Sequence, residues 1–356
     1  MAAKQRKNNK GVKGTEEGKR IDCNKQAKKT TKGSCEKQVI SSSSPSYLWS
    51  RVAMWMAIIS VAILAVSIIF PSRENASTTT TATQSTKKQK KQSSTPSNTR
   101  FGRFELLETV PHDGDAFTQG LQIVNDTLYE GVGHYGKSEL RRVDLSTGKV
   151  LQRHKLPREF FGEGITYFED GSTGQGRLLQ LTWREQTAFL YDSESLQLLH
   201  QFSYNTRTGQ GWGITWRQKQ STFIVSDGSS FLHFWDSQTF AETKRIEVYT
   251  LLHGGKGKVR HINEMEYEPV SDTLLANVWH NDVILRIDPD TGFVTTIYDL
   301  SSLYPPEQRS PSDNEAVLNG IALVEGKPDE VWVTGKLWSH MFRIRLIDPG
   351  DDEVIT

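Results

Sequence analysis

Residues 163–202 read EGITYFEDGSTGQGRLLQLTWREQTAFLYDSESLQLLHQF. Four short runs, EGITYF, LLQLTW, AFLYD and LQLLHQF, are rich in β-branched and aromatic residues and are separated by Gly, Asp, Ser and Gln. Strand formers alternating with turn formers in this way mark four consecutive strands. The same quartet recurs on both sides. QGLQI (from 119), WGITWR (212), NEMEYE (263) and NGIALV (319) match the first run. TLYEG, FIVSDG, LLANVW and VWVTGK match the second, and ELRRVDL, FLHFWD, VILRIDP and MFRIRLI the third. KVLQRHKL, TKRIEV and FVTTIYDL match the fourth. The fifth unit runs out of chain before its fourth strand, and RFELLETV (103–110) supplies one from the other end. Five such units predict an all-β, five-bladed β-propeller over residues 101–356, its ring closed by the N-terminal strand and its strand edges protected by the radial arrangement. A β-sandwich would not explain five repeats in phase. The turns DLSTGKV (144–150) and DPDTGFV (288–294) join third to fourth strands, with Gly at the positive-φ position.

Upstream of this region the composition changes. Residues 1–51 carry 13 Lys/Arg against 4 Asp/Glu, and residues 71–100 carry 6 against 1, which leaves 24 against 37 for 101–356. The repeat region is therefore acidic, and with no basic face it is not expected to bind nucleic acid. Residues 52–70, VAMWMAIISVAILAVSIIF, are 19 uncharged residues, close to the ~20 that a helix needs to cross a bilayer. The run starts too far into the chain and is too long for a usual cleaved signal peptide. It reads as a transmembrane signal-anchor helix. The Lys/Arg excess before it places the tail in the cytoplasm and the rest in the lumen or outside, a type II protein of the secretory pathway. Residues 71–100 read as a Ser/Thr/Lys-rich stalk that cannot bury enough surface to order itself. Both cysteines, Cys23 and Cys35, fall in the tail, so the exported region must hold together without disulfides. Sequons stand at Asn75 and Asn125, of which Asn125 lies far enough from the span to be the expected glycosylation site.

The repeat also registers positions against one another. First-strand openings place Gln119, Glu163, Trp212, Asn263 and Asn319 at one mouth of the central channel, and second-strand ends bring Glu130, Trp183, Asp227, Trp279 and Lys336 toward it. For any one of these residues a packing role competes evenly with a functional one. A carboxylate, amides, an ammonium and three tryptophans at equivalent positions are harder to explain by packing.

The motifs DAFTQGL, FGEGIT, LTW, GWGIT, INEMEYE, ANVW, RIDPDTG and LNGIA…VTGKLW together resemble the glutamine cyclotransferases of the plant and bacterial type, in order across residues 104–345. The departures are the loop 169–177, a Gly/Lys-rich insertion around 252–260, and everything before residue 100. The resemblance implies a five-bladed propeller and one reaction: the α-amine of an N-terminal glutaminyl residue attacks its own side-chain amide, ammonia leaves, and pyroglutamate remains. It also implies site residues Phe117, Gln119, Phe161, Glu163, Trp183, Trp212, Asn263, Trp279 and Lys336. Seven of these nine are mouth positions already reached from the repeat.

The residue types suit that chemistry. An aromatic box of Phe117, Phe161, Trp183, Trp212 and Trp279 can hold the substrate coiled. Glu163, between Gly162 and Gly164, can take the proton of the amine and deliver it to the leaving nitrogen, the glycines giving the substrate room. Lys336, Asn263 and Gln119 can stabilise the oxyanion. The scheme requires no cofactor, although a structural calcium ion in the channel remains compatible with it. Two alternatives stand beside it. One is a calcium-dependent lactonase-like hydrolase using Glu163, Asn263 and Asn319 as ligands. The other is a non-catalytic propeller that binds proteins. The expected partners are peptides with N-terminal Gln and, through one helix, a membrane.

Overall fold

Strand follows strand throughout the described residues, which in this computed structural model are 98–253, 255–309 and 314–350. The expectations for the tail, the apolar run 52–70 and nearly all of the stalk fall outside them, and no described helix is long and apolar enough to cross a membrane. After β1 (Arg100–Pro111), a first unit comprises β2 (Thr118–Val124), β3 (Thr127–Val132), β4 (Glu139–Val143) and β5 (Val150–Lys155). The second is β6 (Gly162–Glu169), β7 (Gly176–Thr182), β8 (Thr187–Asp192) and β9 (Leu198–Ser203). The third is β10 (Ile214–Arg217), β11 (Thr222–Ser226), β12 (Phe231–Asp236) and β13 (Glu242–Glu247). The Gly/Lys-rich insertion forms a hairpin of its own, β14 (Tyr249–Leu252) with β15 (Gly255–Lys258). The fourth unit is β16 (Ile262–Glu268), β17 (Thr273–Val278), β18 (Asn281–Ile287) and β19 (Val294–Asp299). The fifth has β20 (Leu318–Val324), β21 (Lys327–Gly335) and β22 (His340–Ile347).

β1 completes that fifth unit. It runs antiparallel to β22 from Arg103 opposite Ile347 to Pro111 opposite His340. Its first residues, Arg100–Gly102, also pair in parallel with Thr296–Tyr298 of β19, joining units four and five into one sheet. The innermost strands close a cycle: β2 touches β6, β6 touches β10, β10 touches β16, β16 touches β20, and β20 returns to β2. The result is a propeller-like ring of five four-stranded units.

The core is divided into five main seams, one between each pair of neighbouring units. Leu140 packs with Ile165 and Phe189 between the first and second, for example, and Val225 with Leu181 between the second and third. The N-terminal strand contributes Val110 to the seam of units five and one, beside Leu121 and Met341. Each third-to-fourth strand turn is closed by an amide donating to an Asp carbonyl: Gly148 to Asp144, Leu196 to Asp192, Phe240 to Asp236 and Gly292 to Asp288, at 2.8–3.0 Å. Leu196 and Phe240 take the left-handed conformation that the two glycines adopt freely (φ 53° and 55°). That conformation costs roughly 1–2 kcal/mol. Burial of Leu196 in the seam of units one and two, and stacking of Phe240 on Phe202 at 4.2 Å, offset it.

The inner strands approach so closely that a side chain is excluded where they touch. A Cβ on Gly164 would lie 2.7 Å from the Trp212 carbonyl oxygen and 2.8 Å from Gly213 Cα, both backbone atoms of the next unit. The fourth unit departs from this pattern with Glu264. Its buried carboxylate accepts from the Ile321 amide at 2.9 Å and, more weakly, from Leu121 at 3.4 Å, bridging to units five and one.

Candidate active site

The starts of the inner strands and the ends of the second strands meet at one face. Main-chain hydrogen bonds of 2.9 Å lock them together, from the Gly133 amide to Phe117 O, Trp183 to Phe161 O, Trp279 to His261 O and Lys336 to Val317 O. These bonds fix where each following side chain projects. A cavity of about 450 Å³ opens there, and all nine residues implied by the resemblance line it. Phe117 and Phe161 precede β2 and β6, Gln119, Glu163 and Asn263 lie on inner strands, Trp212 precedes β10, and Trp183, Trp279 and Lys336 follow second strands.

The wall is a belt of edge-to-face and tilted rings. Phe117 to Phe161 is 6.0 Å, Phe161 to Trp183 is 5.7 Å, and Trp212 to Trp279 is 5.6 Å between centroids. Glu163 is only 5 % exposed. Burial pushes its carboxyl well above its usual 4.5, the Glu185 charge adds to this, and the Lys336 ammonium opposes it. Lys336 is equally buried, and its Nζ lies 4.8 Å from the Phe117 ring centroid. Burial lowers its pKa, against the Glu163 and Glu315 charges that raise it. The buried Oδ1 of Asn263 has no hydrogen-bond partner. A buried carboxyl whose pKa is raised above the ordinary acid range has the character of a group that both takes and gives a proton.

Arg184 and Glu315 also line the cavity, and neither was expected from the repeat. Arg184 stacks its guanidinium 3.7 Å from the Trp183 ring centroid. Glu315 accepts from the Trp279 indole N–H at 3.0 Å and pairs with His280 at 3.3 Å. Arg184 was signalled only by following Trp183. Glu315 sits in the loop before β20, where the strand repeat gives no register.

Three mouth residues from the repeat lie outside the cavity lining. Glu130 is three positions too early. The position in unit one equivalent to Trp183, just after β3, is Gly133, where a Cβ would meet Phe161 Cε1 at 2.5 Å, so the phenyl ring takes the place of a side chain. Glu130 is instead buried in an ion network, accepting from Thr118 at 2.8 Å and facing His112 Nε2 at 3.0 Å. Asp227 is drawn into the rim by His233 at 3.1 Å and by the Thr208 and Ser229 amides at 3.0 Å. Asn319 lies beneath the floor, donating to Thr118 O at 3.0 Å and to Gln119 Oε1 at 3.4 Å. Gly162 and Gly164 also have a different reason from the one expected. They make room for Gln180 and for the backbone of the next unit, not for substrate.

A second cavity, of about 590 Å³, opens at the other end of the inner strands around Gln122, Thr215 and Glu266. Burial raises Glu266 to about 8, while hydrogen bonds from Gln122 and Thr215 oppose this. Its carboxylate is thus already partnered, and the aromatic belt is at the opposite end. Among the described residues no group of three or more His, Cys, Asp or Glu side chains is placed to hold one metal ion.

A family model described as glutamine cyclotransferase matches residues 76–346. A glutaminyl-peptide cyclotransferase of Arabidopsis thaliana is 38 % identical over 248 residues, 69 % of this chain and 72 % of that protein. The crystal structure of Myxococcus xanthus glutaminyl cyclase superposes with a TM-score of 0.60 at 31 % identity, covering 71 % of this chain and all of that one. With two-thirds or more of its length matched in each comparison, the chain belongs to the glutamine cyclotransferase family.

Proposed function

We infer that the chain is a glutaminyl-peptide cyclotransferase, converting N-terminal Gln of peptides to pyroglutamate with release of ammonia. The observation that carries this reading is a buried carboxyl, Glu163, and a buried ammonium, Lys336, on the floor of one aromatic-walled cavity.

The reaction is intramolecular, so orientation is the main requirement, and it can supply up to roughly 7–11 kcal/mol. Phe117, Phe161, Trp183, Trp212 and Trp279 confine the glutaminyl side chain so that its α-nitrogen meets its own amide carbon. As the new C–N bond forms, Glu163 takes a proton from the attacking nitrogen. It then delivers that proton to the amide nitrogen as the C–N bond to it breaks, and ammonia departs. Glu163 ends as it began, so the protons balance with no co-reactant. Lys336 and the amides of Asn263 and Gln119 stabilise the oxygen that is transiently negative. The steps need no metal or organic cofactor. A calcium-dependent hydrolase would have to seat its cation beside the Lys336 ammonium. Incubating the full chain with a Gln-initiated peptide and an otherwise identical Asn-initiated one tests the reading. Loss of one ammonia from the first alone is expected, and an unchanged Gln peptide would refute it.

The uncharged run 52–70 and the basic tail before it support a type II anchor in the secretory pathway, with the propeller lumenal or extracellular. In sealed microsomes protease should remove the tail and spare the propeller, and a protected tail would overturn this topology. Asn125, exposed in the turn between β2 and β3, is the proposed glycosylation site, which glycosidase treatment of wild type and Asn125→Gln would test by mass.

A further inference from the structure

The ring contacts run from Phe117 through Phe161 to Trp183 and, separately, from Trp212 to Trp279. Among the described residues no ring contact joins Trp183 of unit two to Trp212 of unit three. A single atom spans the gap instead. Gln210 Oε1 accepts from the Trp183 indole N–H at 2.6 Å and from the Trp212 indole N–H at 3.0 Å. An amide oxygen has two lone pairs, and an indole nitrogen only donates, so both indoles spend their one polar group on the same acceptor. Gln210 does not itself line the cavity.

The loop that carries Gln210 is tied down on every side. Its amide donates to Thr206 Oγ1 at 3.1 Å, and that hydroxyl donates to Gln210 O at 2.6 Å. Thr208 bonds to Asp227, which His233 holds in turn at 3.1 Å, with Glu242 2.7 Å from the other ring nitrogen. The Gly211 amide donates to Trp183 O at 2.9 Å, and the Tyr204 hydroxyl to Thr182 O. The side-chain oxygen is therefore presented at a fixed point between two units.

We propose that Gln210 is a positioning residue for cyclisation, setting the angle of Trp183 and Trp212 so that the two halves of the belt close on the substrate as one wall. The proposal rests on the cyclotransferase reading of the cavity. Without the acceptor, each half-buried indole N–H turns toward water or substrate, because a buried indole needs a partner. The substrate then loses its coiled geometry, and orientation is where this reaction draws its rate.

The test is a cycle of variants of the full chain with a Gln-initiated peptide. Gln210→Leu, which keeps the bulk and removes the acceptor, should lower kcat/KM by roughly 10- to 100-fold, while Gln210→Glu, which keeps the acceptor, should stay within about threefold of wild type. In a Trp183→Phe, Trp212→Phe background the indole donors are already gone, so adding Gln210→Leu should change kcat/KM by less than about twofold. An equal loss in both backgrounds would mean that Gln210 merely supports its loop, and no loss in either would remove the role altogether. The indole N–H resonances, assigned with the Trp→Phe variants, give a readout that needs no turnover. Both should lose exchange protection in Gln210→Leu, and unchanged signals would overturn the proposal even if activity fell. If wild type is inactive on the peptide, the cyclotransferase reading fails, and the indole signals alone decide whether Gln210 holds the two rings.

Discussion

Gly164→Ala places one methyl group at the closest approach of two units. The new Cβ would lie 2.7 Å from Trp212 O, 2.8 Å from Gly213 Cα and 3.0 Å from Ile214 N. All three are backbone atoms, so no side chain can swing aside, and the inner strands must part by a few tenths of an ångström. Overpacking of this kind costs about 1–3 kcal/mol. The Gly164 amide also donates to Trp212 O at 2.8 Å, and weakening that bond removes about 0.5–1.5 kcal/mol. Against these losses, alanine restricts the unfolded chain and returns about 0.4–1 kcal/mol. The balance is a destabilisation of about 2 kcal/mol, and for a domain of this size it lowers Tm by roughly 4–8 °C. Gly171→Ala is the control, because nothing lies within 4 Å of its Cβ position. Thermal unfolding of the two variants beside wild type, with steady-state kinetics on a Gln-initiated peptide, decides the matter. The parting strands carry Glu163 and Trp212, so kcat/KM should fall in Gly164→Ala and not in Gly171→Ala. A Gly164→Ala protein that melts and turns over like wild type would refute the account of inter-unit packing.

Trp279→Ala removes a wall worth about 1.5–3 kcal/mol of apolar contact and should raise KM by roughly 10- to 100-fold, with a smaller effect on kcat; an unchanged KM would mean the indole does not meet substrate. Exhaustive chelation of the full chain should leave turnover of a Gln-initiated peptide intact, whereas activity lost with the fold retained, and restored by calcium, would favour the lactonase-like alternative. Stability should depend on pH through His112, whose two ring nitrogens face Glu130 and the Trp338 carbonyl. Burial lowers its pKa, but the Glu130 charge and the hydrogen bonds leave it above the usual 6.5. Its contribution is thus complete below pH 6.5 and declines as pH rises through the raised value. His112→Gln should flatten that alkaline decline in Tm, and an identical slope would assign it to another group.

The fold was legible because repetition carries it. Five quartets of strand-forming runs, with the missing strand found in RFELLETV, specify both the units and the closure by β1. Much of the cavity was legible for the same reason, since equivalent positions on equivalent strands must meet at one mouth. What failed was whatever depends on neighbours. Glu130 looked like the end of its strand, but β3 runs on to Val132, and beside the ring of Phe161 the next position has room only for Gly133. Gly162 and Gly164 looked like space for substrate, because close approach of another unit's backbone leaves no trace in the local sequence. Glu315 and Gln210 lie in loops outside the repeat, and only their contacts with the indoles of Trp279, Trp183 and Trp212 reveal them.

Turnover by Glu163→Gln tests the account most directly. The substitution preserves shape and removes the group proposed to carry the proton. With a Gln-initiated peptide and ammonia loss followed by mass, kcat should fall by roughly 10²–10⁴-fold, equivalent to about 2.7–5.4 kcal/mol of transition-state stabilisation, while KM stays near the wild-type value because the aromatic wall is intact. A stable Glu163→Gln protein with near wild-type kcat would contradict the account and place the proton carrier elsewhere in the cavity.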